Sequence, residues 1–149
     1  MSQSTGGFMN GVVPRGQPYT FAAAITYIGT LLKKTTTAGE VDIATASDRP
    51  IGYAYETTAG TAFGTTDLTK KYSIMPLING DKVGFPLLAT NVAIAVGDTI
   101  VLGAGGRVDK KSGAGYVLGV AEDSAAQNDG ASASTRFLAV RVDFRYEAS

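Results

Sequence analysis

The strongest constraint on what this chain can fold into is that it repeats itself. Gly39-Glu40-Val41-Asp42 returns as Gly106-Arg107-Val108-Asp109 at a spacing of 67 residues, and at that spacing Ile51-Gly52-Tyr53-Ala54-Tyr55 lies over Leu118-Gly119-Val120-Ala121-Glu122. Upstream, Ile28-Gly29-Thr30 matches Val96-Gly97-Asp98, and Pro18 matches Pro86, at a spacing of 68 that one inserted residue reconciles. Downstream, Tyr72-Ser73-Ile74 falls near Leu138-Ala139-Val140. The glycines sit at the same points of the same apolar pattern, so the fold must accommodate one structural unit twice. The copies run from about 17 to 78 and from about 85 to 144. They divide the chain into an arm over 1–16, a first lobe over 17–80 and a second over 81–149, packed together as one unit.

Each copy is patterned as strands and turns. From 137 to 146, Leu138, Val140, Val142, Phe144 and Tyr146 alternate with Arg141, Asp143 and Arg145, which share their face with Phe137 and Ala139. That period marks a sheet with one dry side and one wetter side. Tyr116-Val117-Leu118-Gly119-Val120-Ala121 and Ile51-Gly52-Tyr53-Ala54-Tyr55 are short apolar strands broken by a glycine, the mark of a bulge, a bend or a close backbone approach. Ile100-Val101-Leu102 and Arg107-Val108-Asp109 flank Gly103-Ala104-Gly105-Gly106 as a hairpin, with Leu31-Leu32 and Val41-Asp42-Ile43 flanking Thr35-Thr36-Thr37-Ala38-Gly39 in the equivalent place. The 17 threonines suit a pleated surface better than helices. Segment 124–134 is alanine-rich but carries Asn128, Asp129 and Gly130, so a loop with at most one helical turn is expected there, and a turn at most over 67–71. The expected fold class is all-β, as two internally duplicated lobes of small curled sheet with an extended N-terminal arm.

The arm has no period, yet Phe8, Met9, Val12 and Val13 stud it with apolar side chains and Arg15 follows Pro14. Two placements suit such a segment: along the domain's own surface, or against another chain. Burying four apolar side chains contributes about 1.5–3 kcal/mol each, while ordering a dozen residues costs about 1–2 kcal/mol apiece. One arm alone binds weakly; several arms on an oligomer meeting a repeating lattice gain through effective concentration.

Composition narrows the chemistry. The chain has no cysteine and no histidine, which removes thiol nucleophiles, thiolate metal sites, Ser-His-Asp chemistry and histidine-ligated metals. Thirteen basic residues balance thirteen acidic ones, without the basic footprint that nucleic-acid binding needs. Segment 21–32, the most apolar, is too short to cross a bilayer, and Met1-Ser2-Gln3-Ser4-Thr5-Gly6-Gly7 lacks the character of a secretory leader, so a protein made in a cytoplasm is expected. Lys33-Lys34, Lys70-Lys71 and Lys110-Lys111 suit solvated turns and edge protection rather than phosphate contacts. The acidic stretch from Glu122-Asp123 to Asp129 lacks the spacing of a calcium loop, and the glycine runs at 103–106 and 113–115 lack that of a phosphate cradle. Glu40, Glu56 and Glu122 are the carboxylates a glycosidase would need, though nothing beyond composition points there. Seven tyrosines and six phenylalanines could build a sugar platform but more often fill a core. No cofactor, metal or catalytic residue is expected.

The second half carries a resemblance. Val96-Gly97-Asp98-Thr99-Ile100-Val101-Leu102, then Gly106-Arg107-Val108, then Leu118-Gly119-Val120-Ala121-Glu122-Asp123, then Val140-Arg141-Val142 resembles the small capsid-decoration (cement) proteins of tailed bacteriophages and related viruses. The likeness covers about 50 residues strongly and, through the repeat, most of 17–144 weakly; the doubling departs from it, Arg49-Pro50-Ile51-Gly52-Tyr53-Ala54-Tyr55 standing where "G-V-A" is typical. It implies a small β-barrel or β-tulip lobe and a homo-oligomer, often a trimer, on the outer capsid surface of a virion. It also implies a partner, the major capsid protein, whose subunits it bridges, often anchored by a terminal arm. Phe8, Met9, Val12, Val13 and Arg15 are then the expected capsid- or subunit-contacting residues. The alternatives are another phage structural component (a head-tail or tail ring, or a fibre module) and a carbohydrate-binding β module.

Overall fold

Ten strands carry the regular structure in the computed structural model, which describes residues 17–58, 68–88, 92–127, 129 and 136–148. The protein is all-β: the described residues contain no α-helix, only short turns such as the 3-10 turn Ala104–Gly106. The arm at 1–16, with Phe8, Met9, Val12, Val13 and Arg15, lies outside the described residues, as does most of 124–134.

The first lobe is a closed five-stranded barrel made of β1 (Gln17–Phe21), β2 (Leu31–Lys34), β3 (Glu40–Ile43), β4 (Gly52–Ala54) and β5 (Tyr72–Pro76), in the order β1-β3-β2-β4-β5. Antiparallel pairing links all neighbours except β1 and β3, which run parallel, Phe21 beside Val41. The second lobe contains β6 (Lys82–Pro86), β7 (Thr99–Leu102), β8 (Val108–Lys110), β9 (Gly115–Ala121) and β10 (Phe137–Glu147), in the order β6-β10-β9-β7-β8. Joining the two ends of that sheet reproduces the first lobe's order strand for strand. The duplication legible in the sequence is therefore a duplication of topology.

Register refines the alignment. Tyr19 opposite Tyr72 recurs as Phe85 opposite Leu138, and Phe21 beside Val41 recurs as Leu87 beside Val108. By this measure Pro18 corresponds to Gly84, so the match of Pro18 with Pro86 is corrected, and the second copy begins earlier than 85. The other matched segments stand. Gly52 lies between Leu32 and Pro76 as Gly119 lies between Ile100 and Val142.

The lobes differ in closure. Where β1 and β3 pair, the second lobe has one isolated bridge, Leu87 to Val108, and a Leu88 N–H donated to the Val108 carbonyl at 2.8 Å. First-lobe residues stand in for the rest of that wall. Leu31, Ala44 and Tyr53 belong to the same buried cluster as Phe85, Leu87, Ile100 and Leu118, with Tyr53 and Phe85 packed edge to face at 5.6 Å. Gly29 lies so close to β6 that a Cβ there would come within 2.6 Å of the Gly84 carbonyl oxygen. The Gly106 N–H donates to the Ala44 carbonyl at 2.8 Å. A smaller cluster, with Phe21 stacked on Tyr72 at 4.7 Å beside Ile25, Leu32 and Ile74, fills the first barrel itself.

β10 shows the expected alternation only over its first half. Leu138, Val140 and Val142 are buried, but a bulge sets two residues, Asp143 and Phe144, against one on β9. An extra residue inverts the two-residue period beyond it. Tyr146, expected on the dry face, is consequently 59% exposed.

Candidate interaction surface

The turn before the second strand of each lobe is built alike. Thr30 N–H bonds the Tyr27 carbonyl at 3.3 Å and Asp98 N–H the Ala95 carbonyl at 3.1 Å, with Gly29 at φ +94° and Gly97 at φ +96°. Positive φ at the third position defines a turn of type II, which favours glycine there. The fourth strand of each copy clasps the turn identically. Gly29 N–H donates to Ala54 and Gly97 N–H to Ala121, both at 2.8 Å, while Thr30 and Asp98 accept from the same two alanines at 2.9 Å.

At the turn's second position stand Ile28 and Val96, 53% and 66% exposed. An isolated exposed aliphatic side chain is ordinary. Its recurrence at the same point of both copies is not explained by packing, since neither contributes to a core. Tyr55 is exposed next to Ala54, and Val92 is exposed near Val96 in sequence. Phe137, also exposed, meets Tyr27 edge-on at 6.1 Å. Each lobe thus exposes an aliphatic side chain, Ile28 or Val96, at the same point of the internal repeat.

Many of the charged side chains pair with one another. Lys33 pairs with Asp48 at 3.1 Å, Lys110 with Asp98 at 3.2 Å and Lys111 with Glu147 at 3.5 Å, while Lys70 lies over the Tyr72 ring. Within the dibasic pairs, Lys33, Lys110 and Lys111 thus have carboxylate partners. In the acidic stretch Glu122 holds Arg141, and Asp123 and Asp129 both hold Arg136. Among the described residues no cluster of three metal-ligating side chains occurs. Glu40, Glu56 and Glu122 have separate partners, respectively the Thr35 hydroxyl, the Ser73 N–H and Arg141. Surface depressions include a groove lined by Tyr19, Lys34, Ile51, Ile74 and Pro76, and an interlobe notch lined by Tyr27, Thr30, Pro86 and Arg107; neither gathers carboxylates.

Asp48 and Asp98 are among the carboxylates that close turns. Asp48 and Asp98 each accept, at 2.9 Å, the N–H three residues earlier, from Thr45 and Ala95. Those N–H groups first, and Lys33 and Lys110 after them, hold both carboxyls below their ordinary range. Arg141 does the same for Glu122, and Arg145 followed by Lys111 for Glu147.

Three aromatic residues, Tyr116, Phe144 and Tyr146, cluster at the end of β9 and β10. Phe144 stacks on Tyr116 at 5.9 Å, Tyr146 meets Tyr116 edge-on at 5.1 Å, and Arg49 lies over Phe144 at 6.0 Å. Rings stacked on one another present fewer free faces than a sugar platform needs, since sugar rings stack face to face on aromatics.

Of the site residues expected from sequence, all five fall outside the described residues. Ile28 and Val96 were in view as part of the repeat, but not as surface. The signal that could have found them was an aliphatic residue before glycine in both copies of a turn, where a polar residue or proline is usual. No protein-family model matches this sequence, and no curated protein matches it either.

Proposed function

We infer that the chain is a structural protein of a virion that decorates the outer surface of an assembled capsid and stabilises it by bridging subunits of the major capsid protein. The observation carrying this reading is the pair of equivalent apolar turns, Ile28 in one lobe and Val96 in the other. A body offering the same contact twice suits a partner presenting the same socket twice, as neighbouring copies in a lattice do. The all-β, hydrogen-bonded body supports the reading too, because a clamp must be stiffer than the seam it spans. The arm, through Phe8, Met9, Val12, Val13 and Arg15, supplies a further lattice contact, and a small homo-oligomer, a trimer by the family resemblance, multiplies each contact. A protein that binds only the expanded shell shifts the shell toward that state by mass action.

The test is co-sedimentation of the purified protein with empty expanded and unexpanded shells. Capture by expanded shells alone is expected; equal or absent capture by both refutes the reading. Ile28→Asp and Val96→Asp should each weaken capture about tenfold, the loss of one buried aliphatic contact, without lowering the melting temperature. Rings or filaments in a size measurement would point instead to a tail component.

A further inference from the structure

The joint between the lobes, residues 77–81, contains the dipeptide Asn79-Gly80. In an unrestrained chain this pair is the most prone to deamidation, because glycine leaves its own nitrogen unshielded. Asn79 and Gly80 are both exposed, so burial does not protect them. Hydrogen bonds tie them down instead. Gly80 N–H donates to the Val142 carbonyl at 2.8 Å, and Val142 N–H returns a bond to the Asp81 carbonyl at 2.8 Å. Arg141 donates a guanidinium N–H to the Gly80 carbonyl at 2.9 Å, and Phe144 N–H donates to Asn79 Oδ1 at 2.9 Å. Asp81 N–H closes the turn on the Ile78 carbonyl at 3.1 Å.

We propose that Asn79 is a latent modification site whose deamidation is gated by detachment of this joint from β10. The reaction needs the Gly80 nitrogen, deprotonated by solvent base, to attack Asn79 Cγ. The new N–C bond forms as ammonia departs, leaving a succinimide; water then opens the ring at either carbonyl to give aspartate or isoaspartate. In the folded protein the nitrogen that must lose its proton donates it to Val142. The carboxamide that must be attacked is drawn toward Phe144. The Phe144 contact polarises Cγ, which favours attack, but it holds the group on β10 rather than turned back on Gly80. The two reacting atoms are thus fastened to different points of one strand, and the ring closes only when both bonds open. An isoaspartate product would insert an extra methylene into the main chain of the joint and route that chain through the side-chain carbonyl that Phe144 holds, so a single opening event becomes permanent.

The experiment follows the full-length protein in mildly alkaline buffer at physiological temperature. Trypsin, cutting after Lys71 and Lys82, releases the peptide that carries Asn79. Its gain of about one dalton is compared with that of a free synthetic peptide of the same sequence. The folded protein should react more than about threefold more slowly, with denaturant abolishing the difference, as for any reaction that proceeds through local opening. Arg141→Ala, which removes one of the stitches, should raise the folded-state rate. A folded-state rate within about threefold of the free peptide's, or one that neither denaturant nor Arg141→Ala increases, overturns the proposal.

Discussion

At Gly52 and Gly119 the side chain is a hydrogen atom because the next strand leaves room for nothing else. A Cβ at Gly52 would be driven onto the Met75 carbonyl oxygen and one at Gly119 onto the Arg141 carbonyl oxygen. Both obstacles are main-chain atoms inside a strand ladder and cannot swing aside. Gly119→Ala is therefore expected to cost about 1–3 kcal/mol or more, read as a fall in denaturation midpoint, and Gly52→Ala to behave alike. Carboxylates that close turns or pair with cations contribute to the response to acid. Asp48, Asp98, Glu122 and Glu147 have lowered pKa values in the folded state. Their stabilisation is in place above the ordinary carboxylate range and is lost as pH falls through the folded values. Melting temperature should hold through neutral pH and drop below about pH 4, and Asp98→Asn should shallow that drop.

Among the elements, β8 is the incompletely paired edge, its residues buried or half-buried. Its pairing with β7 leaves the Lys110 N–H turned outward, and the neighbouring Asp109 carboxylate covers it at 2.8 Å. An unpaired edge invites another strand. Asp109→Ala should leave the monomer folded but raise light scattering on heating, whereas Asp109→Asn, which keeps an acceptor oxygen, should not. How far such elements were legible depended on their residues. The alternation of Leu138, Val140 and Val142 and the glycine-broken strands around Gly52 and Gly119 gave β10, β4 and β9 within a residue or two. The bulge at Asp143 and Phe144 leaves no mark in composition, so strict alternation places Tyr146 on the wrong face. β1 and β6 carry Pro18, Gly84 and Pro86, residues that ordinarily argue against strands; both are tolerated because each of these strands is flanked by a parallel or incomplete neighbour. The exposed apolar turns are hidden for another reason: exposure depends on what the rest of the fold covers, and the pattern around Ile28 is the same whether it is covered or not.

For the molecule as a whole, the repeat foretold two similar lobes but not their inequality. The second lobe borrows Leu31, Ala44 and Tyr53 to complete its core, a dependence that arises between copies and leaves no signature within either. Tyr53→Ala should consequently cost about 3 kcal/mol or more. It should lower the unfolding of both lobes together, in one calorimetric transition rather than two. Residues 81–149 alone should remain unfolded by the same argument. The unequal closure also has a bearing on synthesis. On a ribosome the chain emerges from its N-terminus, and domains settle as they appear. The first barrel has all its own staves once Pro76 is out. The later half then condenses against a finished wall, so the order of translation is also the order in which each half finds what it needs.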